Sequence, residues 1–426
     1  MEIPVSKIML SLLAACTLLL AGCGGGEPAP PPEQWTLQVA VEGCKDLALK
    51  DSGRTLYIVL GTTCDRSLST RQVRIFHTSD RGAESAGVAL PLTVNQTSGV
   101  ARSIDRLGLR NVELVGKGTW RQVDHLGQWT GRDGAGLLYL KGELFLLGGW
   151  LYGPTTNEVW KTTDLVHWTF VGFAPWPGRH GAAWLVHNER LWVIGGDLNE
   201  DVWSSADGLN WTEHTPKAPF GARYTPNAAS LDGDIIVYAG QNWEPIPWCN
   251  DRPDCVARGN RSVWKSRNGV DWVEIAPQAP WAERALIHGS IVFDHYIYLV
   301  GGGLKVAPPN MLYAETSAEY KDVWRTRDGV TWEKVSDDAG FTPRTHFSVL
   351  ATSAGCFVSD GSVGTQPNLS HDVFQASDCI HYSALPVPDE LPLRHASALV
   401  DFNGSLVLIG GPRLDGAGTS VWQYFY

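Results

Sequence analysis

Six arginines recur along the chain, Arg132, Arg179, Arg223, Arg284, Arg344 and Arg394, and each opens a run of small and apolar residues. A guanidinium can hold a carboxylate or a sulfate through two parallel hydrogen bonds. Six of them brought together would make a positive well on a chain whose formal charge is −11. His180, His288, His346 and His395 each follow one of these arginines by one to four residues, so the same convergence would gather imidazoles, packed or ligating a metal. Aromatic rings cluster nearby. Trp150, Tyr152, Trp243 and Trp248 lie in or beside the segments 150–158 and 241–262, and Tyr313 and Tyr320 lie in 303–322. Flat rings pack on the C–H faces of sugars, and arginine suits acidic substituents, so the set points to a glycan or an acidic peptide as ligand. Glu244 and Glu283 are the carboxylates nearest in sequence that could serve as a general acid or base.

The elements that would position these residues form a repeat. After each arginine run comes a short polar turn and an apolar strand ending at glycine, as in LFLLGG to Gly149, LWVIGG to Gly196, IIVYAG to Gly240, IYLVGG to Gly302 and LVLIGG to Gly411. A strand marked Val-Trp follows at Trp160, Trp203, Trp264, Trp324 and Trp422, with Val373-Phe374 in the fifth copy, where Ser359-Asp360-Gly361 replaces the diglycine. Four copies turn tightly to a further tryptophan, Trp168, Trp211, Trp272 or Trp332. The chain holds 46 Gly, 25 Pro and 19 Trp against 3 Met, which suits short strands and tight turns and not helices. Four strands of about five residues per copy match the blade of a propeller.

The diglycine followed by Val-Trp resembles kelch repeats, over residues 118–426. The resemblance implies an all-β fold, a six-bladed kelch-type β-propeller like the central domain of galactose oxidase. Trp120 precedes Arg132 by the same 12 residues that separate Trp211 from Arg223, so the strand around Trp120 is expected to complete the sixth blade and close the ring. Residues 35–117 fall outside the repeat and read as a small β-rich, sandwich-like domain. In the kelch pattern the arginine often bonds loop carbonyls, and in some animal kelch adaptors arginines at the channel mouth bind acidic peptides, so both roles stay open. The aromatic residues three positions before the arginine, Trp129, Trp176, Phe220, Trp281 and Phe341, read as packing because structural positions repeat around a ring. The S-x-D-G-x-x-W hairpins resemble sialidase Asp boxes, one residue shorter, and those are structural. A copper oxidase would need two tyrosines and a crosslinked cysteine at the metal, so no metal or other cofactor is expected.

The N-terminus reads as an export signal, with Lys7, an apolar run from Ile8 to Leu20 and then Leu20-Ala21-Gly22-Cys23. That tetrapeptide resembles the lipobox of bacterial lipoproteins. It implies removal of residues 1–22, fatty acylation of Cys23 as a membrane anchor, and, with Gly24 rather than Asp following, outer-membrane localisation in a diderm cell. Residues 23–34 then form a Gly/Pro-rich tether. In an oxidising compartment the remaining cysteines are expected to pair by proximity as Cys44–Cys64, Cys249–Cys255 and Cys356–Cys379. The acidic charge argues against a nucleic-acid partner. The expected function is a binding module for a glycan or an acidic peptide or protein partner. A sugar-modifying enzyme, similar to the kelch-type sialic-acid mutarotase, and a scaffold subunit of an envelope complex are the alternatives.

Overall fold

The structure, a computed structural model, describes residues 35–51, 55–65, 67–68, 70–79, 88–93, 101–104, 111–123, 125, 127–244, 256–305, 316–364, 368–411 and 418–426. The signal, Cys23 and the tether lie outside the described residues, as do Trp248, Tyr313 and the Cys249–Cys255 pairing. The chain is all-β and divides into two compact units, residues up to Thr119 with Phe425, and Trp120–Tyr424 with Tyr426.

In the first unit, Trp35–Val41 pairs antiparallel with Thr70–Ser79, which pairs with Val88–Thr93. A second sheet runs in the order Leu47–Asp51, Thr55–Leu60, Asn111–Gly116, Ala101–Ile104, with its two central strands parallel. The alternation in Trp35–Val41 sends Leu37, Val39 and Val41 to one side, where they share a core with Leu56, Ile58, Leu60, Val112 and Leu114 of the other sheet. The Cys44–Cys64 disulfide borders that core.

The second unit is built from antiparallel sheets of four strands. In order they are Gly136–Leu140, Glu143–Leu147, Glu158–Thr162, Thr169–Phe173; Ala183–His187, Arg190–Ile194, Val202–Ser205, Trp211–Thr215; and Asn227–Leu231, Asp234–Tyr238, Val263–Ser266, Val273–Ala276. They continue with Ile291–Phe293, Tyr296–Lys305, Thr316–Thr326, Glu333–Ser336, then Phe347–Thr352, Gly355–Ser359, Val373–Ala376, Ser383–Leu385. The sixth sheet is Ala398–Phe402, Ser405–Ile409, Val421–Phe425, beside which the N-terminal strand Thr119–Val123 is hydrogen-bonded. The short segment Ile287–His288 leaves the fourth sheet and adds in parallel to the first strand of the fifth. First strands of consecutive sheets are neighbours, and Ala398–Phe402 neighbours Gly136–Leu140 in turn.

Each sheet is braced by its buried arginine. The Nη1 of Arg132 donates to the Gly148 carbonyl at 2.9 Å, that of Arg179 to Gly195 at 3.0 Å, and that of Arg284 to Gly301 at 2.9 Å. Arg223, Arg344 and Arg394 use Ala239, Asp360 and Gly410 in the same way. Nη2 then reaches the residue before the Val-Trp pair, which is Glu158, Asp201, Ser262, Asp322, Asp372 or Ser420. In four sheets that same residue accepts the indole N–H of the tryptophan. A bulge between Val and Trp in those four sheets turns the strand so that the valine is buried and the indole meets the brace. The second glycine leaves room for the arginine stem: a Cβ on Gly149 would lie 3.0 Å from Arg132, and one on Gly411 would lie 2.6 Å from Arg394.

The aromatic residue three positions before five of the six arginines meets the hairpin aromatic of the same sheet edge-on, with Trp129 on Trp168, Trp176 on Trp211, Phe220 on Trp272, Trp281 on Trp332 and Phe341 on Tyr382. The hairpins themselves are closed by their own side chains. Asp207 accepts from the N–H groups of Leu209 and Asn210, and the Trp211 indole returns to the Gly208 carbonyl. In the fifth sheet Cys379 stands where Gly208 stands in the second, and its disulfide ties the hairpin tip to Cys356.

Asp360 occupies the place of Gly148, with the same left-handed backbone, φ 57° against 59°. Its carboxyl is buried. It accepts the Ser359 hydroxyl at 2.9 Å, but burial outweighs that bond and the nearby Arg394 and pushes the carboxyl up to about 7. A raised carboxyl in the folded state binds more protons than the unfolded chain between the two values, so stability falls as pH rises from about 4 to about 7. The shift corresponds to a decline on the order of 4 kcal/mol. Asp360→Asn is expected to remove it, so its stability advantage over the natural chain in urea unfolding should be larger at pH 8 than at pH 4.5. Equal differences at both pH values would contradict the assignment.

Candidate functional site

The residue after each arginine points inward from the end of the sheet, and here the copies stop agreeing. The six residues are Asp133, His180, Tyr224, Ala285, Thr345 and His395. The next position is left-handed in every copy, at Gly134, Gly181, Thr225, Leu286, His346 and Ala396, with φ from 47° at Thr225 to 63° at Leu286. That turn directs backbone groups around the ring of first strands. Gly181 N–H donates to the Gly134 carbonyl and Gly134 N–H to Ala396, both at 2.8 Å, and Ala396 N–H reaches His346 at 2.6 Å. Leu286 N–H uses the Thr225 hydroxyl at 2.9 Å. Bulky residues held left-handed by a collar of bonds are strained positions that the surrounding structure sustains.

Above this collar sit two imidazole–carboxylate pairs. His180 Nδ1 and its backbone N–H both lie 2.8 Å from Asp197 Oδ2, and its Nε2 lies 3.2 Å from the Tyr224 hydroxyl. His395 Nε2 lies 3.0 Å from Asp133 Oδ2. His346 stands between, with ring centroids 5.5 Å from His395 and 6.4 Å from His288. Lys305, at the end of its strand, brings its ammonium 5.8 Å from the Tyr224 ring centroid. Its backbone is fixed by Gln241, which accepts from Lys305 N–H at 2.9 Å and donates to its carbonyl at 3.0 Å. Trp150 and Tyr152 form the rim, their centroids 4.8 Å apart, with Trp150 6.1 Å from His180. Behind His288, the first strands line a cavity of about 440 Å³ with Tyr139, Trp184, Val186, Leu350 and Leu399.

Burial alone would lower the His180 imidazole, but the Asp197 hydrogen bond and charge, with Asp133 beyond, hold it above its ordinary value. His288 has no such partner, and burial drives it down to about 3. His346 falls well below the usual range for the same reason, with Lys305 and the other histidines adding to the effect. Burial lowers the Lys305 ammonium, opposed by Asp133 and Asp197. The site therefore holds one imidazole raised in basicity by a carboxylate and two lowered by burial, close together.

Of the two roles open to the six arginines, the bracing one is what the geometry shows: they are buried, and their guanidinium groups donate to carbonyls and side chains of their own sheets. Trp243 is 2% exposed behind Tyr224, packed with Ala285 and Leu286, so it backs the mouth and presents no platform. Trp150 and Tyr152 remain at the rim. Glu244 pairs with Arg258 at 3.1 Å and Glu283 accepts the Gly259 N–H at 3.1 Å, so the acid–base groups of the mouth are His180 and His395 with their carboxylates. The four histidines do converge. Among the described residues, no group of three or more His, Cys, Asp and Glu side chains is placed to hold a metal ion. Asp133, Asp197, Tyr224 and Lys305 were not marked by the sequence patterns. For Asp133 and Tyr224 the signal is the failure of the column after the arginine to repeat; Asp197 and Lys305 stand outside that column.

No protein-family model matches the chain, and no curated protein matches it.

Imidazole resonances followed by NMR between pH 4 and 8 should show His180 titrating above the ordinary histidine range and His288 uncharged at pH 5. Asp197→Asn should bring His180 down below that range, because burial would then act unopposed. A His180 titration unmoved by this substitution would contradict the pairing.

Proposed function

We propose that the protein is a cell-envelope lipoprotein, anchored through Cys23 in the outer membrane, whose second unit is a closed six-bladed kelch-type propeller that binds a glycan or a sugar acid at the mouth of its channel. The sandwich-like first unit and the tether would hold that propeller away from the membrane. The cyclic neighbourhood of the six first strands and the N-terminal strand beside Val421–Phe425 support closure, since a ring of sheets sealed in this way leaves no open edge at the seam. The kelch resemblance also fits the repeated arginine brace.

The observation that carries the ligand class is the tilted Trp150–Tyr152 ring pair beside the His180–Asp197 pair, with Tyr224 and Lys305 nearby. A sugar needs an apolar ring face and several fixed polar groups, and this rim supplies both. An acidic peptide fits less well, because its arginine partners are buried. A second reading, a sugar-modifying enzyme of the mutarotase or epimerase kind, is favoured by the two imidazoles oriented by carboxylates, which can take and return protons.

Saturation-transfer NMR on the full-length chain in mild detergent, against neutral and acidic sugars, is expected to find a ligand whose signal is lost in Trp150→Ala and His180→Ala while thermal unfolding is unchanged. Accelerated anomer exchange of that ligand would select the enzymatic reading. Binding that survives both substitutions would sink the assignment of the mouth.

A further inference from the structure

Lys305 is the charged group of the mouth that no acidic partner claims. Asp133 is engaged with His395 and Asp197 with His180, whereas the Lys305 ammonium makes no hydrogen bond or ion pair with any described residue. Its position is nonetheless fixed. Gln241 holds both backbone groups of Lys305, and Tyr224, itself backed by Trp243, lies against the end of the side chain. A partly buried lysine that no carboxylate touches directly loses its proton more readily than an exposed one, here even against the charges of Asp133 and Asp197, and the free amine is a nucleophile. The lowered basicity that burial imposes here agrees with that.

We propose that Lys305 condenses with the carbonyl carbon of the ligand, the open-chain form of a reducing sugar, to form a Schiff base. The proposal rests on the sugar-binding reading of the mouth and adds a covalent step to it. The amine lone pair attacks the carbonyl carbon as the C–N bond forms. The carbonyl oxygen takes a proton, and we assign the donor as the His180 imidazole, held by Asp197 beside Tyr224. Loss of water from the resulting carbinolamine, with the nitrogen proton passing to a base of the same cluster, gives the imine. No electron is gained or lost, and water is the only product released. The protonated imine would meet two carboxylates, Asp133 and Asp197, whose charges already act on Lys305.

The test is reductive trapping on the full-length protein with glyceraldehyde and cyanoborohydride, read by peptide mass spectrometry. Reduction adds hydride to the imine and fixes the sugar carbon on nitrogen. Lys305 is expected to be modified at least ~10-fold faster than the exposed Lys217. Lys305→Arg, which keeps the charge, should unfold at the same temperature and show no adduct on this strand. Modification of Lys305 no faster than Lys217 overturns the proposal. If sugars still bind in the NMR panel and that binding survives in Lys305→Arg, the lysine is a bystander and the sugar reading stands. If neither adduct nor binding is seen, both fall together.

Discussion

A guanidinium shut away from water has five N–H groups to satisfy, and an unmet one inside a protein costs more than the bond it would have made. Each of the six buried arginines meets this demand within its own sheet, taking a carbonyl at the glycine turn and an acid or hydroxyl before the Val-Trp strand. Much of the local sequence follows from that requirement. The turn must be left-handed to aim its carbonyl at Nη1, and the next residue is a glycine, where an added Cβ would strike the arginine stem, as at Gly149 and Gly411, or the chain beside it, as at Gly196. Removing one partner of such a brace would leave a buried charge, the most expensive kind of defect in a fold. The brace also fixes where the chain goes next, because the residue after the arginine is carried to the inner end of the sheet, above the collar formed by Gly134, Gly181, His346 and Ala396.

The division of labour that results is between columns of the repeat. Arginine, glycine and Val-Trp positions agree from copy to copy because each copy solves the same packing problem. The side chains of the column after the arginine differ from copy to copy, and two of its histidines reach residues of a neighbouring copy. His180 reaches Tyr224 of the following copy, and His395 reaches Asp133 of the first. Asp197 sets His180 above its normal basicity, while burial holds the nearby His288 and His346 below theirs.

Most of the scaffold was legible because periodicity reports packing. The arginine and Val-Trp columns, the turn chemistry of Asp207 and its equivalents, the Cys44–Cys64 and Cys356–Cys379 bridges and the role of the aromatic before each arginine could all be read from repetition or proximity. The brace acceptors escaped notice, since Glu158, Asp201 and Ser262 share a function and no side-chain class. The mouth was legible only in part. Its histidines stand one to four residues beyond the arginines, but Asp197 and Lys305 follow glycine turns of unequal length and so carry no spacing signal. Trp243 looked like a platform from its loop setting, and the register of Gln241–Glu244 with Val256–Gly259 turns it under Tyr224.

The separation of scaffold from site is tested most directly by substituting the two adjacent columns in parallel. Arg132, Arg179, Arg223, Arg284, Arg344 and Arg394 would be changed singly to Met, and Asp133, His180, Tyr224, Thr345 and His395 singly to Ala, with thermal unfolding and sugar binding read on every variant. The expected result is a fall in unfolding temperature throughout the arginine set, and loss of binding at native-like stability in the set beside it. Arginine variants that keep their stability and lose only binding would show instead that the guanidinium groups are the ligand site.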